Sequence, residues 1–182
     1  MNKLCLVLLS LLLAEFATAQ VPTSGNIFLG YSHYSTDLAP NRGGLDGWQG
    51  TLEGKIVPYV GIVADLSGDY GHLNFKPINV LCPTTGCPTH VSTHVTNVIF
   101  GPRVFIPVGK FRPFAEVMAG VGHASVSGIA SDTSIATALG GGLDYRVFHL
   151  LGWRFEVDYI HTSLFHRGQG NARISTGIVF NF

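Results

Sequence analysis

Over its last stretch the chain changes character at every residue. Ala172, Ile174, Thr176, Ile178, Phe180 and Phe182 share one parity, and Arg173, Ser175, Gly177, Val179 and Asn181 share the other. Successive side chains of a strand point to opposite faces, so the pattern predicts a strand with one greasy face and one small or charged face. The same period recurs in seven further segments, near Gly25 to Tyr34, Leu45 to Ile56, Tyr59 to Ser67, Val91 to Ile106, Arg112 to Ser125, Ser134 to Val147 and Gly152 to Thr162. Each reaches the roughly 9 to 11 residues that a tilted strand needs to cross a bilayer, the third only barely.

The connectors alternate as well. Val57-Pro58, Pro107 to Lys110 and Phe148 to Leu151 are short, whereas Ser35 to Gly44, Gly68 to His90, Val126 to Thr133 and Ser163 to Asn171 are long. Short turns on one side and long loops on the other are the asymmetry of a transmembrane barrel. The expected fold is therefore all-β, an eight-stranded antiparallel up-and-down transmembrane β-barrel.

Parity assigns the faces. Trp153, Phe155, Val157 and Tyr159 oppose Arg154, Glu156 and Asp158; Val60, Ile62, Ala64 and Leu66 oppose Asp65; Trp48, Leu52 and Ile56 oppose Glu53 and Lys55; Leu139, Leu143, Tyr145 and Val147 oppose Asp144 and Arg146. Ala115, Val117, Ala119 and Val121 likewise oppose Arg112 and Glu116. With the apolar face toward lipid, the lumen collects Lys55, Arg103, Arg112, Arg146, Arg154 and Arg173 against Glu53, Asp65, Glu116, Asp144, Glu156 and Asp158. An eight-stranded barrel is about wide enough for side chains to fill it. The expectation is a lumen plugged by these twelve paired charges.

Composition supports that picture. Charged residues make up 12% of the chain and glycine occurs 23 times, which suits turns and close strand contacts better than a soluble helical domain. The formal net charge is zero, so nothing points to nucleic acid or another polyanion as partner. Residues 1–19 carry Lys3, an apolar run from Leu4 to Ala14 and Ala17-Thr18-Ala19. They read as a signal peptide cleaved after Ala19, which leaves residues 20–182 as one barrel domain.

The chain resembles the small eight-stranded OmpA-type bacterial outer-membrane barrels, in the outer membrane protein β-barrel domain family. The likeness spans the mature chain. It is carried by Arg112-Pro113-Phe114 entering a Gly-rich strand, Gly140-Gly141-Gly142-Leu143-Asp144-Tyr145, Trp153-Arg154-Phe155-Glu156-Val157-Asp158-Tyr159 and the terminal Phe182. Phe182 with Phe180, Ile178 and Ile174 resembles the C-terminal signature that such proteins present to the outer-membrane insertion machinery. The resemblance implies an outer-membrane location, with outer-membrane lipids and lipopolysaccharide as surroundings. No peptidoglycan-binding domain follows the barrel segments, so that tethering role is not expected. The function expected is structural or surface-interacting through the outer loops, with a small-solute channel as alternative.

Candidate chemistry is sparse. Cys82 and Cys87, in Leu81-Cys-Pro-Thr-Thr-Gly-Cys-Pro88, are the only cysteines after residue 19 and are expected to form a disulfide in an exported chain. A metal site joining them to His72, His90 or His94 is the weaker alternative, and neither a metal nor a cofactor is expected. His161-Thr162-Ser163 resembles the His-x-Ser pair of barrel-shaped lipid A deacylases, whose histidine is oriented by a downstream acid. No Asp or Glu follows Ser163. His33-Tyr34-Ser35 and His123-Ala124-Ser125 repeat the spacing. The sequence is read as non-enzymatic.

Overall fold

A computed structural model describes residues 24–36, 43–74, 90–127, 130–164 and 167–182. Eight strands form one closed barrel in chain order. They are β1 (Gly25–Thr36), β2 (Gly43–Val57), β3 (Val60–Asn74), β4 (His90–Phe105), β5 (Phe111–Val126), β6 (Ala130–Arg146), β7 (Leu151–Thr162) and β8 (Gln169–Asn181). Each pairs antiparallel with its neighbours, and β1 closes on β8 from Asn26↔Asn181 to Ser35↔Ala172. Closure leaves no free strand edge, which is what a sheet needs in a solvent that cannot hydrogen-bond to it.

The strands run further than the hydrophobic alternation does. β3 continues past Ser67 to Asn74, and its ladder with β4 reaches Asn74↔His90. β6 begins at Ala130, so the expected long connector from Val126 to Thr133 shrinks to residues 127–129. Hydrophobic alternation ends where apolar residues give way to Gly, Asp, Ser and His. The backbone keeps pairing there because the neighbouring strand, not the side chain, satisfies its N–H and C=O groups.

The opposite end is built from tight turns. Pro58, with its φ fixed by the ring, is followed by Tyr59 at φ 72°, the order of a type II turn. Gly109 at φ 62° turns the next hairpin, closed by paired hydrogen bonds between Val108 and Phe111 of 2.7 and 3.0 Å.

Faces follow parity throughout. Leu29, Leu52, Ile62, Phe100, Val117, Leu139, Val157 and Ile178 point outward and are exposed. Aromatic residues flank this band, with Tyr31, Trp48, Tyr70 and Tyr159 toward the loop end and Phe111, Tyr145, Trp153 and Phe182 toward the turn end. A continuous apolar surface of this kind would drive association in water.

The interior has two layers. The half nearer the termini is ionic. The half nearer the loops holds an apolar cluster that includes Tyr34, Leu45, Val95, Ile99, Met118, Ala124, Ala136, Ile160 and Leu164. This apolar plug stands beside the expected charge network. Its signal was present in the sequence: Ile99 and Val95 share the parity of Arg103, Met118 that of Glu116, and Ile160 that of Asp158.

Candidate functional site

The ionic layer is assembled first by register. Arg103 stands opposite Glu116, Arg112 opposite Asp144, Asp144 opposite Arg154, and Asp158 opposite Arg173. Opposed residues on one face of a sheet are natural partners. Arg103 Nε donates to Glu116 Oε2 at 2.5 Å and Arg154 Nε to Asp144 Oδ1 at 2.6 Å. Arg173 Nη2 donates to Asp158 Oδ2 at 2.7 Å.

A second set of bonds then crosses the lumen. Arg103 reaches Glu53 at 3.2 Å and Glu156 at 3.1 Å. Arg173 makes a two-pronged contact with Asp65 at 2.9 and 2.8 Å. Arg112 bonds both Glu53 and Asp144, while Gln49 bridges Asp65 and Glu156. Aromatic rings line the remaining guanidinium faces: Phe114 lies 4.1 Å from Arg103 and 4.8 Å from Arg154, and Phe105 lies 3.8 Å from Arg112. Planar, weakly hydrated guanidinium groups tolerate burial under aromatic rings better than ammonium groups do.

Two of the twelve charges assigned to this network stand apart from it. Lys55 and Arg146 are exposed near the turn-end mouth, and the Lys55 ammonium lies 5.9 Å from the Phe105 ring. Long cations at a mouth gain more from water than from a crowded interior. Asp69, conversely, is fully buried; it lies past Ser67, where the alternation that predicts this strand ends. The expected balance of six against six is thereby corrected. Glu53, Asp65, Asp69, Glu116, Asp144, Glu156 and Asp158 face Arg103, Arg112, Arg154 and Arg173 among the described residues, seven acids to four bases. The surplus gathers where Glu116, Glu156 and Asp158 bring carboxylate oxygens within 4.8 Å of one another, and at Asp69, neither of whose carboxylate oxygens has a hydrogen-bond partner.

The loop-end rim carries the remaining polar chemistry on its outer side. His33 Nδ1 lies 2.7 Å from Asp46 Oδ1, and the Tyr31 hydroxyl donates to the same oxygen. His94 stacks on Tyr70 with ring centroids 4.3 Å apart, and His123 Nδ1 lies 2.7 Å from Thr133 Oγ1. The structure places His161 and Ser163 at the end of β7, with the Ser163 N–H donating to Ser134 Oγ at 3.1 Å. Among the described residues no carboxylate meets the His161 ring. The carboxylate on His33 was not anticipated, since Asp46 is its register partner on β2 and lies thirteen residues further along the chain. Cys82, Cys87 and residues 1–19, the expected signal peptide, lie outside the described residues. Phe182, Phe180, Ile178 and Ile174 all face outward and are about half exposed.

A charged, filled interior inside an apolar, edgeless wall decides the architecture. The chain has the fold of the eight-stranded outer-membrane barrels. Neisserial surface protein A is similar over 87% of this chain and 97% of its own, with TM-score 0.67 at 11% identity. OprG from Pseudomonas aeruginosa is similar over 90% and 98%, with TM-score 0.57 at 10% identity. Ail, the attachment invasion locus protein of Yersinia pestis, solved in complex with the heparin analogue sucrose octasulfate, is similar over 86% and 98%, with TM-score 0.56 at 15% identity. No family model matches the sequence, and no curated protein matches it. At such identities the likeness is one of fold.

Proposed function

We propose that the protein is an integral outer-membrane barrel, exported by its signal peptide, whose lumen is sealed by side chains and whose work is done at the loop end, facing the cell exterior. The observation that carries this reading is the inversion of faces. Arg103, Arg154 and Arg173 are buried inside while Leu29, Phe100, Leu139 and Val157 are exposed outside, an arrangement that suits a lipid surrounding and no other. The sealed lumen supports a structural or surface-interaction role over a solute channel. Membrane lipids and lipopolysaccharide are the immediate partners of the outer wall, and the outward row of Ile174, Ile178, Phe180 and Phe182 suits recognition by the insertion machinery.

Closed barrels resist detergent until heated, because every backbone group is satisfied within the ring. Unheated and boiled samples should migrate differently on a denaturing gel, and the protein should fractionate with the outer membrane. Identical migration together with release by carbonate would overturn the reading.

A further inference from the structure

The outer wall is not evenly coated. On β1 to β4, Leu29, Trp48, Leu52, Leu66, Val98 and Phe100 border an apolar furrow, with Gly50 and Ala64 as its floor. Register explains the trough: Gly50 stands between Leu29 and Leu66, and Ala64 stands between Leu52 and Phe100. Each small residue is thus flanked by large ones on both neighbouring strands. A Cβ at Gly50 would meet nothing closer than Leu29 Cδ2 at 3.4 Å, so nothing but the choice of residue keeps the floor open. The furrow holds about 650 Å³, within the size range of small-ligand sites.

At the loop end it stops under two hydrogen-bond donors. Trp48 is the register partner of Gly68, and Tyr70 lies two residues beyond Gly68 on the same face. A Cβ at Gly68 would meet Trp48 Nε1 at 3.0 Å and the Tyr70 hydroxyl at 3.3 Å, so both donors lean over the bare glycine backbone. An acceptor oxygen resting above Gly68 comes within reach of both. The Tyr70 ring is held in place by His94, which stacks on it with centroids 4.3 Å apart and whose Nε2 lies 3.1 Å from Thr96 Oγ1. Within the described residues neither the indole N–H nor the Tyr70 hydroxyl has a hydrogen-bond partner. Trp and Tyr place such polar tips where an apolar region meets a wet one.

The charges nearby decide which acceptor fits. β2, β3 and β4 carry only two Lys or Arg residues, Lys55 and Arg103, and both have the inward parity. Asp46 shares the outward face of Trp48, two residues away. A phosphate would therefore meet a carboxylate and no lysine or arginine. A neutral carbonyl oxygen meets two donors without that repulsion. In a diacyl lipid the ester carbonyl is joined directly to the acyl chain, so a chain lying in the furrow carries its carbonyl to the level of Gly68.

We propose that this furrow is a lipid site that holds one acyl chain of a bilayer diacyl lipid and recognises its ester carbonyl through Trp48 Nε1 and the Tyr70 hydroxyl, independently of the headgroup. The site rests on the membrane-barrel reading proposed above and goes beyond it, since general contact with lipid makes no demand on the carbonyl. Gly50 admits the chain, and Gly68 admits the oxygen.

The test uses the full mature barrel in phosphatidylcholine vesicles. Heat-dependent gel migration is read first on every sample, so that failure of the barrel reading is seen separately. The two tryptophans report one at a time: Trp153→Phe leaves Trp48 at the furrow, and Trp48→Phe leaves Trp153 at the turn end as control. The quenchers are dioleoyl phosphatidylcholine brominated at its double bonds and the dioleyl ether analogue brominated at the same carbons, of which only the first has ester carbonyls. The ester lipid should bind at Trp48 about fivefold more tightly than the ether, the worth of one net hydrogen bond, and the two should quench Trp153 alike. Tyr70→Phe, which keeps the ring against His94, should shrink the preference, and Gly50→Leu, which fills the floor, should abolish it. Brominated phosphatidylglycerol should bind at Trp48 as the ester phosphatidylcholine does. Equal binding of ester and ether lipid at Trp48 overturns the proposal. So does an ester preference that Trp153 shares, one that survives Gly50→Leu, or a preference set by the headgroup.

Discussion

Arg173 and Asp65 lie 108 positions apart in the chain, yet both terminal nitrogens of the arginine reach the two oxygens of the aspartate, at 2.9 and 2.8 Å. The contact crosses the lumen from β8 to β3, and Arg173 also holds its register partner Asp158. One guanidinium thereby ties three strands. Fork-to-fork geometry of this kind combines strength with a fixed orientation. Arg173→Met keeps the length of the side chain but leaves Asp65 and Asp158 buried without their cation. Removing one partner of a buried pair costs about 3 to 5 kcal/mol. Unfolding in urea, followed by the loss of heat-dependent migration, should show a correspondingly lower midpoint, and an unchanged midpoint would remove Arg173 from the centre of the network.

The seven-to-four imbalance gives a prediction of opposite sign. Asp69 is buried, and neither carboxylate oxygen meets a donor within hydrogen-bonding distance. Asp69→Asn preserves shape and removes the charge. An unsatisfied buried group costs about 1 to 3 kcal/mol and more when it is charged, so removing the charge should raise the urea midpoint. A fall would mean that Asp69 is held by a contact that the side-chain geometry does not reveal.

These two residues also mark how far the sequence could be read. Arg173 was legible because its strand alternates cleanly, so parity placed it inside. Its partner Asp158 was legible for the same reason, but which acid would reach it across the lumen was not, because Asp65 becomes its neighbour only when the ring closes. Asp69 lies beyond Gly68, where hydrophobic alternation fades while strand pairing continues under its own hydrogen bonds; Asp46 lies inside the expected strand, but only the register of β1 on β2 brings it to His33. Lys55 and Arg146 have the inward parity and sit at the mouth. Parity fixes the side of the wall and says nothing of height along it, and height decides whether a charge meets water or an opposing charge. The apolar upper plug of Ile99, Met118 and Ile160 was passed over because the charged residues of the same parity defined the face.

Cys82 and Cys87 offer a prediction that rests on sequence and compartment. An exported chain with two cysteines five positions apart should bridge them in an oxidising space. Closing so short a loop stabilises by about 2 to 3 kcal/mol at most, so Cys82→Ser should leave insertion and heat-dependent migration intact. Thiol titration of the unreduced, unfolded protein checks the bridge. Two free thiols would rule it out.

The two plugs together predict electrical silence. A solute entering from the turn end meets Arg103, Glu116, Arg154 and Glu156, all buried and bonded to one another or to their neighbours across the ring. Beyond them it meets the apolar side chains of Ile99, Met118 and Ile160. Opening a path would require breaking several charge-assisted bonds and then wetting an apolar constriction. In planar bilayers the reconstituted wild type should show no steady single-channel conductance. Met118→Ala should stay silent, because the ionic layer below it remains, and Arg103→Ala should stay silent because the apolar layer above it remains. Only the double substitution removes a member of both layers, so openings should appear there first. Reproducible ion-selective openings in the wild type would instead mean that neither layer seals the barrel and would favour the channel reading.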